Sequence, residues 1–338
     1  MKKDFDLIYI VESILSKYKI IAWAVVIALP LAVPLLGLSS FMMRILIMIG
    51  IFTILALGLN LVTGYAGQVS LGHAGFFAIG AYTYALMKMN LNTHFLVAML
   101  CGALLAAASG FLLGLPTLRL SGPYLAIVTL GFGEIIRMII INWRSMTRGP
   151  LGIGGIPAPQ LFGTSFNLHN HGFYYTMLIM LAFTTIACYM VANSKTGRAF
   201  QAIKYDPIAA TMMGIRTTRY KVLAFVLSAF ITGAAGAFYA PIIGFIDQNT
   251  FTFDISVLIL SIVIVGGMGT IRGMFLGAAL IIAFPEVARW LMEYRFVVYG
   301  LLLILMMRFR PQGLLGWKSR LPYKMSKEAR RRLEAEVG

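Results

Sequence analysis

The sequence predicts an all-α integral membrane protein, a polytopic helical bundle of about eight to ten spans with some broken helices. Three observations predict it. Of the 338 residues, 59% are hydrophobic and only 12% charged, whereas a soluble domain is nearer half apolar and a quarter charged. The apolar residues gather in runs of about 20, long enough to cross the hydrocarbon layer as helices. The basic residues crowd into stretches that flank those runs, as they do in cytoplasmic loops near anionic lipid.

The elements follow in order. Residues 5–19, FDLIYIVESILSKYK, place Leu7, Val11, Ile14, Leu15 and Tyr18 on one helical face. Residues 1–19 therefore read as an amphipathic segment, lying on the membrane or packed on its own subunit. This charged start is followed by an apolar run that leads into more membrane segments rather than to an A-x-A-like cleavage site, so no cleaved signal peptide is expected. Spans are expected at 20–38, 42–62, 64–88, 94–116, 122–142, 172–193, 220–246, 255–268, 273–290 and 293–309. The segment 255–268 is short for a full crossing and has the length of a re-entrant helix. A single transmembrane domain over 20–310 is followed by a basic tail, 311–338.

Charge sets the orientation. With the N-terminus inside, 21 of the 28 Lys and Arg fall on the cytoplasmic side. They include the group between Lys195 and Lys221, Arg119, Arg272 and the run from Arg308 to Arg332. Both termini and 194–221 are then cytoplasmic, and 143–171 faces away. In a soluble protein a net charge of +16 would suggest nucleic acid; this distribution points to the lipid bilayer and to no nucleic acid.

Small residues at four-residue spacing mark helix contacts: Ala66, Ser70, Ala74 and Ala78; Ala229, Gly233 and Ala237; Gly269, Gly273 and Gly277. Gly64, Gly67, Gly72 and Gly75, with Pro30, Pro34, Pro241 and Pro285, predict bent or broken helices. The stretches GYAGQVSLGHAGFFAIGAY and GGMGTIRGMFLGAAL share a glycine rhythm that close packing alone would give.

Catalytic and metal readings find little support. There is no G-x-x-x-x-G-K-S/T, so the chain is expected to hold no nucleotide in a P-loop, and no cofactor of its own is expected. Gly131 and Gly133 form a bare G-x-G inside an apolar run, without the strand-turn-helix setting of a dinucleotide site. His169 and His171 lack an acidic or Cys partner nearby, so no metal site is expected. Cys101 and Cys188 sit in apolar runs as small packing residues.

Two polar features remain in the spans. Glu134 and Arg137, at i and i+3, are placed to form an intramembrane ion pair. A charge at a span's centre costs about 3 kcal/mol on the translocon scale, so the pair is either structural, between helices, or lines a path. Asn60, Gln68, Ser70, His73 and Thr129, with Glu134, mark a weakly polar passage beside the glycine-rich breaks.

Residues 194–221, SKTGRAFQAIKYDPIAATMMGIRTTRYK, hold a short helix with its own punctuation. Asp206 is the N-cap, Pro207 opens the helix and Gly214 stops it. Ile208, Met212 and Ile215 line one side. A capped, partly apolar helix between two spans is built to dock on a cytoplasmic partner, with Arg198, Lys204 and Arg216 steering it to acidic rims.

GLNLVTGYAGQVSLGHAGFFAIGAY, LSGPYLAIVTLGFGEIIR, GRAFQAIKYDPIAATMMGIRTTRYKVLAFVLSAFITGAAGAFYA, VGGMGTIRGMFLGA and RFRPQGLLG together resemble the M-type permeases of bacterial leucine/isoleucine/valine uptake systems. The resemblance runs from about residue 50 to 317. It implies a permease subunit of an ATP-driven importer in the bacterial inner membrane. It further implies a sister H-type permease, two ATPase subunits that hold ATP and Mg, and a periplasmic amino-acid-binding protein. IAATMMG, from Ile208 to Gly214, is similar to the E-A-A-x-x-x-G loop by which importer permeases engage their ATPases. Ala209, Ala210 and Gly214 match that loop, and Ile208 stands in place of its Glu. Two other readings stay open: a permease of the same type for a sugar, nucleoside, urea or amide, and an ion-coupled secondary transporter. The latter would need buried acidic groups, of which Glu134 alone lies deep in a span.

Overall fold

The computed structural model describes residues 34, 37, 39–117, 120, 122–161, 164–165, 172–287, 295–310 and 312–315. The segment 1–19, most of 20–38, Arg119, His169, His171 and the tail from 316 lie outside the described residues.

Helix α1 (Ser40–Leu59) begins where the Ser39 hydroxyl accepts the Met42 N–H, and it continues into a π-helical turn, Asn60–Tyr65. An unwound stretch, 66–72, precedes α2 (His73–Leu91). Then come α3 (Phe95–Thr117), α4 (Pro123–Asn142), with Pro123 at its first position, and the single turn α5 (Arg144–Thr147). Helix α6 (Gly172–Asn193) leads to two short helices, α7 (Lys195–Tyr205) and α8 (Pro207–Met212). The long α9 (Thr217–Ile243) is followed by α10 (Phe253–Gly266), α11 (Ile271–Val287) and α12 (Arg295–Phe309).

Extended structure among the described residues is confined to two-residue strands in connectors. Here β1 (Ile153–Gly154) pairs antiparallel with β4 (Phe245–Ile246), and β2 (Gln160–Leu161) with β3 (Thr164–Ser165). The β1–β4 pairing brings the connectors after α4 and after α9 to one end of the bundle. Helices α7 and α8 lie at the other end, a full α6 length away; its 22 residues make about 33 Å.

The all-α bundle is as the sequence predicts. Among the described residues, Ser40–Tyr65, Phe95–Pro116, Pro123–Asn142, Gly172–Asn193 and Thr217–Ile243 are long and apolar enough to cross a membrane. Helix α10, with 14 residues, covers about 21 Å and falls short of a full crossing. Two expectations are corrected. The span expected at 64–88 is interrupted: the π turn ends at Tyr65, 66–72 is unwound and α-helix resumes at His73, so Ala66 and Ser70 share no helix face with Ala74 and Ala78. Gly269 likewise lies in the turn between α10 and α11, at φ +85°, rather than on a stripe with Gly273 and Gly277.

The stripe around Gly233 does pack helices. On α9, a Cβ added at Gly233 would strike Ala106 of α3, and one at Gly236 would strike the Phe77 carbonyl of α2. A Cβ at Gly80 of α2 would meet the Gly233 carbonyl. Absent side chains let α2, α3 and α9 touch backbone to backbone, where dispersion contacts rather than water expulsion hold helices together. Phe76, Phe77, Tyr84, Phe95 and Phe238 fill the space around this contact and are fully buried.

Candidate functional site

The unwound stretch 66–72 is the centre of the polar constellation. Buried backbone cannot be left unpaired in a membrane, and here side chains from three other helices hold the stretch and the first turn of α2 that follows it. The Leu71 N–H is accepted by Thr129 Oγ1 of α4 at 2.9 Å. The Ala74 N–H is accepted by Ser256 Oγ of α10 at 3.0 Å. His73 shares a 2.7 Å hydrogen bond with Ser228 Oγ of α9 and one of 3.3 Å with Ser70 Oγ. Closer to the turn, the Gln68 N–H donates to the Val62 carbonyl, and Thr63 Oγ1 donates to the Gln68 carbonyl.

Asn60 joins this stretch to a second break. Its Oδ1 accepts the Gly269 N–H at 2.8 Å and its Nδ2 donates to the Thr270 carbonyl at 3.3 Å. The two glycine-rich motifs of the sequence therefore meet. Gly64 lies so near Gly269 that a Cβ on Gly64 would come within 2.5 Å of the Gly269 nitrogen. Residues 314 and 315 close the far side, with the Leu314 and Leu315 N–H groups donating to the Val265 and Gly266 carbonyls.

Five of the six path residues thus come together: Asn60, Gln68, Ser70, His73 and Thr129, all buried. Their polar atoms chiefly satisfy the broken backbone, while Gln68 Oε1 is buried with no partner among the described residues. Glu134 is not brought to them. It projects from the opposite face of α4, bonded to Arg137 Nη1 at 3.1 Å, and both side chains remain partly exposed, 38% and 27%. The pair exists, but it is not enclosed between helices of this chain. Arg137 Nε is itself buried without a partner among the described residues.

The segment 194–221 is more ordered than its sequence suggests. Ser194 Oγ accepts the Thr196 and Gly197 N–H groups and starts α7, a helix absent from the sequence expectations. The signal was present in that cap and in the spacing of Ala199, Phe200 and Ile203, which are buried. Asp206 then ends α7 and starts α8: its Oδ1 accepts from the Ile208 and Ala209 N–H groups at 2.8 and 3.0 Å. Gly214 takes φ +81°, the left-handed conformation a side chain disfavours. Ile208 is 72% exposed and Met212 and Met213 are each 82% exposed, with Tyr205 beside them. Met213 and Tyr205 extend the patch beyond the residues the sequence singled out.

The structure gives three residues of this segment a definite setting. Ala210 is buried against its own chain, so it does not face a partner. Gly214 has open space where a Cβ would stand, so a larger residue there would be opposed by backbone strain rather than by a clash. Lys204 turns inward: its Nζ donates to the Gly64 carbonyl at 2.7 Å, and partial desolvation holds its pKa below the ordinary lysine value. Arg198 bonds the Asn193 carbonyl, and Arg216 lines a shallow cleft with Thr211, Ile215 and Arg219.

The permease component of branched-chain amino acid transport systems matches residues 41–307. The chain belongs to that family. It is 40% identical over 287 residues to the high-affinity branched-chain amino acid transport system permease protein LivM of Salmonella typhimurium. LivM of Escherichia coli matches at the same identity, and each alignment covers 78% of this chain and 68% of the relative. The chain is also 28% identical to the LivH permease protein of Escherichia coli, over 78% of this chain and 91% of that relative. No solved structure matches the chain significantly. The family match makes the chain a multi-pass membrane transport permease rather than an enzyme.

Proposed function

We propose that this chain is the M-type permease subunit of an ATP-driven importer that carries leucine, isoleucine and valine across the bacterial inner membrane. The observation that carries the reading is the match over residues 41–307 to a branched-chain amino acid permease family. The capped, exposed apolar helix α8 adds a device for receiving energy. The chain has no nucleotide motif, so ATP and Mg belong to two ATPase subunits, and α8 with Arg198 and Arg216 forms the surface they engage. A sister H-type permease covers the face of α4 that carries Glu134 and Arg137, and a periplasmic binding protein delivers the amino acid. Residues 20–310 form the permease domain, with 1–19 and 311–338 flanking it.

The passage runs beside the unwound stretch 66–72, where Asn60, Gln68, Ser70, His73 and Thr129 supply weak polarity. A passage that must release its cargo selects little, so the binding protein does most of the selecting. The complete complex, reconstituted in vesicles with the binding protein, is expected to take up leucine when ATP is supplied to the ATPase side. Uptake of a sugar in preference to leucine would overturn the substrate assignment.

Both termini and α7–α8 are placed on the cytoplasmic side, with 143–171 opposite, on the positive-inside count. Lys195, exposed at the start of α7, and Ser165 test this as single cysteines in a background lacking Cys101 and Cys188. In whole cells an impermeant thiol reagent should label the cysteine at 165 and leave the one at 195 unlabelled. The reverse pattern would invert the topology.

A further inference from the structure

Lys204 stands between the two devices described above. It lies in the last turn of α7, two residues before Asp206. Its Nζ reaches the Gly64 carbonyl, in the π-helical turn that closes α1. A π turn takes backbone off the regular helical ladder, and a lysine donor on one of its carbonyls is a charge-assisted contact. Three residues later the chain touches Lys204 again. Gly67, at φ +70°, lies so close that a Cβ there would come within 2.8 Å of Lys204 Cγ and 3.2 Å of its Cα. The start of the unwound stretch is therefore seated on α7 at two points.

From that seat the connection continues in both directions. Inward, Asn60 bonds Gly269 and Thr270, so the connector 267–270 is held to the same π turn. Outward, Asp206 is at once the C-cap of α7 and the N-cap of α8, with its own N–H donating to the Ala202 carbonyl at 3.1 Å. Gly197, Phe200 and Ile203 fix the inner face of α7 by burial. One shared cap links α8 to α7, and one lysine links α7 to the breaks.

From this juxtaposition we propose that Lys204 is a positioning residue for transport. It ties the docking helix Pro207–Met212 to the π turn at Gly64, to the unwound stretch 66–72 and to the connector 267–270, so that displacement of the docking helix is delivered to both breaks. The inference rests on the reading that α8 receives an ATPase. A methionine at 204 keeps an apolar stem against Gly67 and removes the donor to Gly64. An arginine restores a donor.

The test uses the complete complex in vesicles, with ATPase association, ATP hydrolysis and leucine uptake measured on the same preparation and referred to the unaltered complex. Lys204→Met should retain ATPase association and hydrolysis while leucine moved per ATP falls about tenfold, the scale of one charge-assisted hydrogen bond. Lys204→Arg should recover most of that ratio. A purely structural role would lower thermal stability and leave the ratio unchanged, and that result would overturn the proposal. Loss of ATPase association in Lys204→Met would overturn it too, since Lys204 would then be a docking residue. Should Lys204→Met fail to assemble, Gly67→Ala keeps the lysine but disturbs its seat, and a normal ratio there overturns the proposal equally. The docking reading fails on a different result: full ATPase association after Ile208→Asp and Met212→Asp.

Discussion

Helices α1 and α4 are each apolar enough to cross a membrane, yet their situations differ. Within the most apolar stretch of each, 78% of α1 is buried inside the chain but only 17% of α4. Helix α1 is enclosed by α6, α9, α10 and α11, and its end carries the buried Asn60 that bridges to the second break. Helix α4 rests on α2 through a narrow strip centred on Thr129 and turns Tyr124, Ile127, Ile135 and Met138 outward, with Glu134 and Arg137 beside them. Apolar residues facing outward suit lipid; a charged pair halfway along a span does not. Both helices satisfy the bilayer by composition. The first is completed within this chain, whereas the second presents a surface that protein or water must cover.

The buried side is where this contrast breaks most easily. Gly233→Leu would drive a side chain into Ala106 and the Gly102 carbonyl, with no flexible group to give way. Overpacking of this kind costs about 3 kcal/mol or more. Thermal unfolding of the purified chain should drop by several degrees, and yield in the membrane should fall. On α4, the double substitution Glu134→Leu with Arg137→Leu removes a partly exposed pair, which contributes about 1 kcal/mol or less. The purified chain should keep its thermal stability, while retention of the sister permease during purification weakens. If the α4 variant unfolded the chain as severely as Gly233→Leu, the contrast between the two helices would be wrong.

Much of this architecture is legible in the amino-acid sequence. Apolar run length locates α1, α3, α4, α6 and α9, because crossing a bilayer imposes one length on all of them. Asp206-Pro207 announces α8, since cap chemistry is local. The i, i+3 spacing announces the Glu134–Arg137 contact for the same reason. Sequence patterns fail where the deciding partner is distant along the chain, or where the deciding fact is which way a helix faces. Glycines signal a break near 64–75, but small residues at four-residue spacing also suit a helix. What settles 66–72 as unwound backbone is the capture of Leu71 by Thr129 and, at the adjoining first turn of α2, of His73 by Ser228, 155 residues away, and of Ala74 by Ser256, 182 residues away. No local pattern carries those pairings. Nor does composition distinguish α1 from α4. Lys204 is hard to place for a related reason: a lysine in a basic loop is normally solvated, and only the fold reveals a carbonyl within its reach.

On the proposed reading the chain does no chemistry of its own and is driven through one exposed helix. The most direct test substitutes Ile208→Asp and Met212→Asp together, two residues that project from α8 and are largely exposed. The purified permease should show unchanged thermal stability. Co-purification of the ATPases should fall by at least about tenfold, because charges placed in a desolvated docking surface cost about 2 kcal/mol or more. ATP-driven leucine uptake should fall with it. Full ATPase retention together with normal uptake in this variant would contradict that reading.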